Sequence, residues 1–142
     1  MLRDLDLGHY MLKSPLTIGP DANLFEAIHL ILVNKVSGLC VVDEERRLLG
    51  VLSELDCLRG VLGATYNDTG IGCVRDVMAS TDLLVARSSE DIVDVAQSML
   101  DDRRRRRPVV DEEGRLVGQI TARQILRAVK EFSAPAQADE RD

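Results

Sequence analysis

The sequence predicts an α/β fold of the mixed α+β kind, built from two consecutive βαββα repeats. The first observation is an internal repeat about 68 residues apart, in which residues 41–45 (VVDEE) return unchanged as residues 109–113. The second is that each copy alternates helical apolar periodicity with short β-branched runs. The third is size: a repeat of roughly 55–60 residues buries too little surface to be stable alone. A chain of 142 residues therefore reads as two half-modules that share one core.

The first repeat is predicted to contain a strand, a helix, a hairpin and a second helix, in that order. An apolar run at 16–18 lies between Ser-Pro and Gly-Pro and predicts a short strand. From about 22 to 34, apolar residues recur at i, i+3, i+4, i+7 and i+8, counted from Leu24, and predict a helix. Runs at 39–42 and 48–52 flank a polar turn and predict a hairpin, after which Ser53 begins a second helix.

The second repeat follows the same order. It predicts strands at 83–86, 108–110 and 116–120, a helix at about 90–102, and a last helix from Thr121. Gly114 in its hairpin turn stands where a positive φ is expected, and Arg46 at the matching position predicts a turn that differs in detail. The predicted organisation is an N-terminal extension (1–9), repeat one (10–63), a Gly/Asn/Asp-rich linker (64–73), repeat two (74–131) and a disordered tail (132–142).

Composition excludes several classes of function. The net charge of −6 disfavours general nucleic-acid affinity. No apolar run approaches the ~18–20 residues that span a bilayer, and the first residues lack the apolar core of a signal peptide, so we expect a cytoplasmic protein without membrane contact. Three distant cysteines without a C-x-x-C pair and two isolated histidines predict neither a disulfide framework nor a metal site.

The start of the last helix in each repeat carries the candidate chemistry. In the first repeat the second hairpin strand is followed by Ser-x-x-Asp, at Ser53 and Asp56. In the second repeat it is followed by Thr-x-x-Gln, at Thr121 and Gln124. Both pairs resemble a capping box, which is a structural role. The same helix end can also bind an anion, with the hydroxyl contacting a phosphate or ribose oxygen. Asp56 could accept both hydroxyls of a ribose, whereas Gln124 is a poorer partner for a diol.

Five consecutive arginines at 103–107 stand out in a chain of negative net charge. One explanation is a solvated helix end, since cations are favourable near the C-terminus of a helix. Another is phosphate binding, because the guanidinium makes paired, charge-assisted hydrogen bonds with phosphate oxygens. A nucleic-acid patch is a third, but the run contains no aromatic residue on which a base could stack.

These features together resemble a tandem pair of CBS domains, often called a Bateman module, over about residues 10–131. The resemblance rests on the twofold repeat, the hairpin strand PVVD and the Gly-led strand followed by S/T-x-x-D. It implies two βαββα repeats related by pseudo-twofold symmetry and packed through their sheets. It also implies an adenine nucleotide or adenosyl ligand in the cleft between the repeats, a disc-like homodimer formed through helix faces, and a separate, unidentified effector protein.

The resemblance implies two unequal ligand sites. Each takes the S/T-x-x-D of one repeat together with the first strand and the start of the second strand of the other, with the adenine edge read by main-chain groups. The favoured site comprises Ser53, Asp56, Leu83, Leu84, Arg105, Arg106 and Arg107. The weaker site comprises Leu16, Ile18, Ser37, Gly38, Leu39, Thr121 and Gln124, and so lacks both the carboxylate and the arginines.

Three functions of different classes remain open from the sequence. The leading one is a regulatory module that senses an adenine nucleotide of the AMP, ADP or ATP class and requires no cofactor. The second is a dimerisation or scaffold module whose clefts are vestigial, which Gln124 favours. The third is an enzyme acting on a nucleotide, which the sequence disfavours because it supplies no activated nucleophile, no convergent general acid and base, and no metal cluster.

Overall fold

The computed structural model of the protein describes the backbone of residues 5–141 and the side chains of residues 5–132. The chain forms two compact units, each described by itself. The first-repeat unit comprises Pro15–Leu83 and Glu113–Leu116, and the second-repeat unit comprises, among the described residues, 5–14, Leu84–Glu112 and 117–141.

Eleven helices and strands follow one another along the described chain. In order they are α1 (Leu7–Tyr10), β1 (Thr17–Ile18), α2 (Leu24–Asn34), β2 (Gly38–Val42), β3 (Leu48–Ser53), α3 (Glu54–Tyr66), β4 (Ala86–Arg87), α4 (Ile92–Asp102), β5 (Arg106–Val110), β6 (Leu116–Thr121) and α5 (Ala122–Arg141). A short 3₁₀ turn, Val74–Asp76, precedes β4. The predicted βαββα order is confirmed in both repeats.

Each repeat has its own three-stranded mixed sheet, ordered β1-β2-β3 and β4-β5-β6. The short first strand is parallel to the central strand, because the intervening helix carries the chain back across the sheet. The hairpin β2–β3 is antiparallel, and its register pairs Gly38 with Ser53. The beginning of the central strand therefore lies beside the beginning of α3.

The first helix of each repeat begins and ends in the same way. Asn23 caps α2 by accepting a hydrogen bond from the Phe25 amide at 2.8 Å, and Asp91 caps α4 through the Val93 amide at 2.8 Å. Both helices are followed by a capping residue in the left-handed region, Lys35 with φ 54° and Arg103 with φ 56°. These caps place the ends of α2 and α4 within two residues of the predicted ones.

Each unit has its own apolar core beneath its sheet, formed by helix faces and alternate strand residues. In the first-repeat unit the buried set is Ile18, Leu24, Ala27, Ile31, Leu39, Val41, Leu52, Cys57 and Val74. In the second-repeat unit it is Leu7, Ala86, Ile92, Val95, Met99, Val109, Ile120 and Ile125. The helical periodicities read from the sequence therefore identify the faces that are buried.

The predicted repeat bounds, 10–63 and 74–131, stay a prediction, and the segments that begin the two repeats pack in the other compact unit. Residues 10–14, predicted to begin repeat one, belong to the second-repeat unit, where Leu12 and Gln119 exchange main-chain hydrogen bonds of 2.8 and 2.9 Å. Ala79, predicted to belong to repeat two, exchanges two 2.9 Å bonds with Val51 in the first-repeat unit. Single bridges of this kind produce no sequence periodicity, so the sequence does not indicate them.

Four smaller predictions differ from the structure. The strand predicted at 83–86 is Ala86–Arg87, because only these residues are in register with the central strand. Helix α3 extends to Tyr66, into the predicted linker. Arg46 has a positive φ of 67°, so its turn resembles that of Gly114 at φ 80°. Helix α5 continues to Arg141 over residues for which a disordered tail (132–142) is predicted, and Asp142 lies outside the described residues.

We expect Gly50→Val to destabilise the first-repeat unit. A Cβ at Gly50 would lie 2.5 Å from the carbonyl oxygen of Ala79 and 2.9 Å from the sulfur of Met78, and the carbonyl cannot move without breaking its bridge to Val51. The expected loss in the free energy of unfolding is about 2–3 kcal/mol, measured by urea denaturation. Gly63→Ala is the control: it has open space within 4 Å in α3 and should stabilise by about 0.5–1 kcal/mol. Equal stability of both variants would contradict the close approach at Gly50.

Candidate ligand-binding site

The first turn of α3 contains a complete capping box. The Asp56 amide donates to the hydroxyl oxygen of Ser53 at 3.1 Å, and the Ser53 amide donates to Oδ2 of Asp56 at 2.9 Å. The other carboxylate oxygen, Oδ1, accepts from the Arg59 guanidinium at 3.0 Å. Because a carboxylate offers about four acceptor positions, Asp56 retains acceptor capacity for a ligand after these two bonds.

The first turn of α5 repeats this arrangement without the negative charge. The Gln124 amide donates to Oγ1 of Thr121 at 3.1 Å, and the Thr121 amide donates to Oε1 of Gln124 at 2.8 Å. The capping role considered for both motifs is thus confirmed. What distinguishes the two helix starts is the group at the third position, an anionic carboxylate in one repeat and a neutral amide in the other.

The start of each central strand is bonded to the helix start of its own repeat. The carbonyl of Ser37 accepts from the Glu54 amide at 3.0 Å, and the carbonyl of Arg105 accepts from the Ala122 amide at 2.8 Å. The structure thereby brings Ser37 and Gly38 beside Ser53 and Asp56 in the first-repeat unit. It brings Arg105 beside Thr121 and Gln124 in the second-repeat unit. The joining of residues from different repeats into one site stays a prediction.

The apolar members of the two predicted sites differ in exposure. Ile18 and Leu39 are buried in the core of the first-repeat unit, so they can offer a ligand only main-chain groups. Leu16 accepts a main-chain hydrogen bond from Cys40 at 3.4 Å. Leu83 and Leu84 precede β4, and Leu84 is 40% exposed.

The arginine segment, Arg103–Arg106, runs from the end of α4 to the first residue of β5 and carries positive charge. Arg103, Arg104 and Arg105 are exposed, and Arg106 is partly buried. Within the part of the chain that the structure describes, no carboxylate forms an ion pair with any of the four. The segment is therefore a local concentration of available guanidinium groups.

Arg107 corrects the predicted set of phosphate ligands. Its side chain is 2% exposed, and its guanidinium donates to Oδ2 of Asp102 and to the hydroxyl of Ser98, both at 2.9 Å. It also donates to the carbonyl of Arg106 at 3.1 Å. Burial lowers the pKa of Arg107, and the Asp102 carboxylate opposes this by raising it. The guanidinium is engaged within the second-repeat unit and is not available to a ligand.

Cys57, one turn into α3, is buried below the first turn of the helix. Burial raises the pKa of its thiol, and the nearby carboxylates of Asp56 and Glu54 raise it further. The thiol is consequently protonated at neutral pH and is not an activated nucleophile.

An apolar groove of about 260 Å³ lies between α2 and α3 of the first-repeat unit. It is lined by Ile28, Ile31, Leu32, Glu54, Cys57, Leu58 and Val61. Leu32 is 66% exposed and Leu58 is 54% exposed. Other exposed apolar side chains of α2 and α3 are Phe25, Val33, Leu55, Leu62 and Tyr66. Separately, none of the helices in the described residues is long and apolar enough to cross a membrane.

These features define a tandem βαββα repeat protein in which equivalent helix-start boxes follow the hairpin of each repeat. The CBS domain family matches residues 6–63 and 74–131, and the chain belongs to this family. The predicted family and fold are thereby confirmed.

Two curated relatives illustrate the range of proteins in which this module occurs. The chain is 33% identical over 120 residues to inosine-5′-monophosphate dehydrogenase of Methanocaldococcus jannaschii, covering 84% of this chain and 23% of the relative. It is 30% identical over 136 residues to the chloroplastic CBS domain-containing protein CBSX2 of Arabidopsis thaliana, covering 78% of this chain and 57% of the relative. The chain thus spans about a quarter of the dehydrogenase and just over half of CBSX2.

Solved structures show the same architecture. CBSX2 in complex with AMP superposes with a TM-score of 0.79 at 31% identity, covering 90% of this chain and 98% of that one. The CBS domain pair of protein MJ0100, in complex with 5′-methylthioadenosine and S-adenosyl-L-methionine, gives a TM-score of 0.74 at 23% identity, covering 90% and 98%. The second likeness concerns the fold alone.

Proposed function

We propose that this protein is a regulatory module that binds an adenine nucleotide of the AMP, ADP or ATP class and signals to a separate protein. The observation that supports it best is the carboxylate of Asp56, held at the start of α3 by the Ser53 amide at 2.9 Å with acceptor capacity to spare. A relative of 31% identity, CBSX2, has been solved in complex with AMP. A carboxylate in this position suits the two hydroxyls of a ribose.

The favoured site assigns a separate part of the nucleotide to each group of residues. Asp56 accepts the ribose hydroxyls, and the exposed hydroxyl of Ser53 contacts a ribose or phosphate oxygen. Arg105 and Arg106 bind the phosphates, because their guanidinium groups form no ion pair in the described part of the chain. Main-chain groups at Leu83 and Leu84 contact the adenine edge.

The weaker site contains Thr121 and Gln124 with main-chain groups of Leu16, Ile18 and Leu39, and with Ser37 and Gly38. Gln124 already gives its oxygen to the Thr121 amide at 2.8 Å. A neutral amide binds a diol less strongly than a carboxylate does, since hydrogen bonds to charged groups are about twice as strong as neutral ones. We therefore propose unequal affinities at the two sites.

The proposed module is a cytoplasmic homodimer that acts on an effector protein of unknown identity. The exposed apolar side chains of α2 and α3, including Leu32 and Leu58, support the dimer, because removing apolar surface from water lowers the free energy. The same side chains support the alternative function, a scaffold that dimerises and ignores nucleotides.

Titration calorimetry and thermal shift with adenosine, AMP, ADP, ATP and S-adenosylmethionine test the proposal. We expect at least one adenine nucleotide to bind below millimolar concentration and to raise the unfolding temperature. An intact dimer that is indifferent to all five compounds at millimolar concentration would overturn the proposal in favour of the scaffold. Chromatography after prolonged incubation should recover ATP unchanged, and its conversion to ADP, AMP or adenosine would show an enzyme instead.

A further inference from the structure

The second repeat has an ion pair between a buried arginine and a partly exposed aspartate where the first repeat has an apolar and a neutral residue. Arg107 is the second residue of β5, and its counterpart in β2 is Leu39, which is 4% exposed and packed in the core. Asp102 ends α4, and its counterpart at the end of α2 is Asn34. The fold of the repeat itself therefore does not require charged residues at these two positions.

Retaining such a pair has an energetic cost. Removing a guanidinium from water is unfavourable, and its attraction to a carboxylate offsets this only with good geometry and further hydrogen bonds. The Arg107 guanidinium has both, with 2.9 Å bonds to Asp102 and Ser98 and a 3.1 Å bond to the Arg106 carbonyl. Repeat one forms the same helix and strand with Leu39 and Asn34 at these positions, so the fold does not need the ion pair and the pair calls for another role.

The two charged residues are the boundaries of the arginine segment. Asp102 directly precedes Arg103, and Arg107 directly follows Arg106, so their ion pair closes a loop over these four arginines. The loop is also fixed through its main chain: the Arg104 amide donates to Met99 at 3.1 Å, and the Arg105 carbonyl accepts from Ala122 at 2.8 Å. Its backbone is thus held at both ends and in the middle, while its guanidinium groups remain available.

Four consecutive arginines concentrate positive charge in one short segment, and a ligand with several negative charges is attracted to such a segment. We propose that Arg107 and Asp102 are positioning residues that hold Arg103–Arg106 for the phosphate chain of a nucleoside di- or triphosphate. A monophosphate or an uncharged adenosyl group would use fewer of the four cations. The inference rests on the proposed function and names the ligand class within it.

The test replaces the pair with the residues of the first repeat, Arg107→Leu with Asp102→Asn. Removing both charges leaves the net charge unchanged and leaves no buried charge unpaired. Calorimetry then compares ATP, inorganic tripolyphosphate and adenosine. We expect the affinities for ATP and tripolyphosphate to fall by about tenfold or more, and the affinity for adenosine to stay the same. A variant with lowered structural integrity would lose adenosine binding as well.

Several outcomes would overturn the inference. They are an unchanged ATP affinity in the double variant, an equal loss for ATP and adenosine, or wild-type protein that binds ATP no tighter than adenosine. In the last case adenosine binding still supports the proposed function. Absence of any adenine-ligand binding overturns the proposed function, and the tripolyphosphate measurement then decides the positioning role alone. If the double variant does not fold, Arg107→Lys serves, since it keeps a positive charge opposite Asp102 but loses the planar group that also bonds Ser98 and the Arg106 carbonyl; it should weaken tripolyphosphate binding a few-fold, and no change would overturn the inference.

Discussion

Asp56→Ala is expected to weaken the binding of AMP by about ten- to a hundredfold, measured by calorimetry. The loss corresponds to roughly 1.5–3 kcal/mol, the contribution of hydrogen bonds to a charged group in a partly desolvated site. The Asp56 side chain is 15% exposed, so water would only partly replace the lost acceptor. Direct contact with the ribose would make this one of the largest single-residue effects on affinity.

Because Asp56 also caps α3, its structural role must be measured separately. Asp56→Asn retains an oxygen that can accept from the Ser53 amide but removes the charge, so it should fold like the wild type and still bind weakly. Gln124→Ala removes the equivalent hydrogen bond in the second repeat and, because Gln124 belongs to the weaker proposed site, it serves only to measure the stability cost of cap loss, about 1 kcal/mol in the free energy of unfolding. Wild-type affinity in both Asp56 variants would show that the nucleotide binds elsewhere.

Leu58→Asp is expected to convert the proposed homodimer into a monomer of 15.7 kDa, observed by sedimentation velocity. Leu58 lines the apolar groove between α2 and α3 and is 54% exposed in the single chain. If this face is covered in the dimer, a carboxylate there loses its hydration without gaining a partner. The dimer dissociation constant should then rise by roughly a hundredfold or more.

The exposure of Leu58 makes it suitable for this test, since the change alters little inside the unit. Thr69→Asp adds the same single charge on an exposed residue outside the groove and should leave the dimer intact. A wild-type protein that sediments as a monomer at micromolar concentration would refute the proposed dimer. A Leu58→Asp variant that remains dimeric would show that the interface lies on another surface.

The order and type of the main elements follow from local sequence. The apolar stripe of α2 and the short apolar runs of β2 and β3 are typical of a helix and of strands, and these elements lie close to their predicted bounds. The capping boxes are also local, because their hydrogen bonds join residues three positions apart. Interactions of this short range depend only on which residues stand a few positions apart, so a single sequence suffices to predict them.

The sequence alone determined the βαββα repeats, the helix starts at Ser53 and Thr121, and the difference between Asp56 and Gln124. Tertiary structure decided which parts of the chain lie side by side: Leu12 on Gln119, Ala79 on Val51, and Arg105 against the start of α5. It also decided that Arg107 is a buried partner of Asp102, although in the sequence it is only the last of five equal arginines. Burial and long-range pairing depend on the folded chain, and a run of identical residues has no internal feature that separates the buried member from the exposed ones.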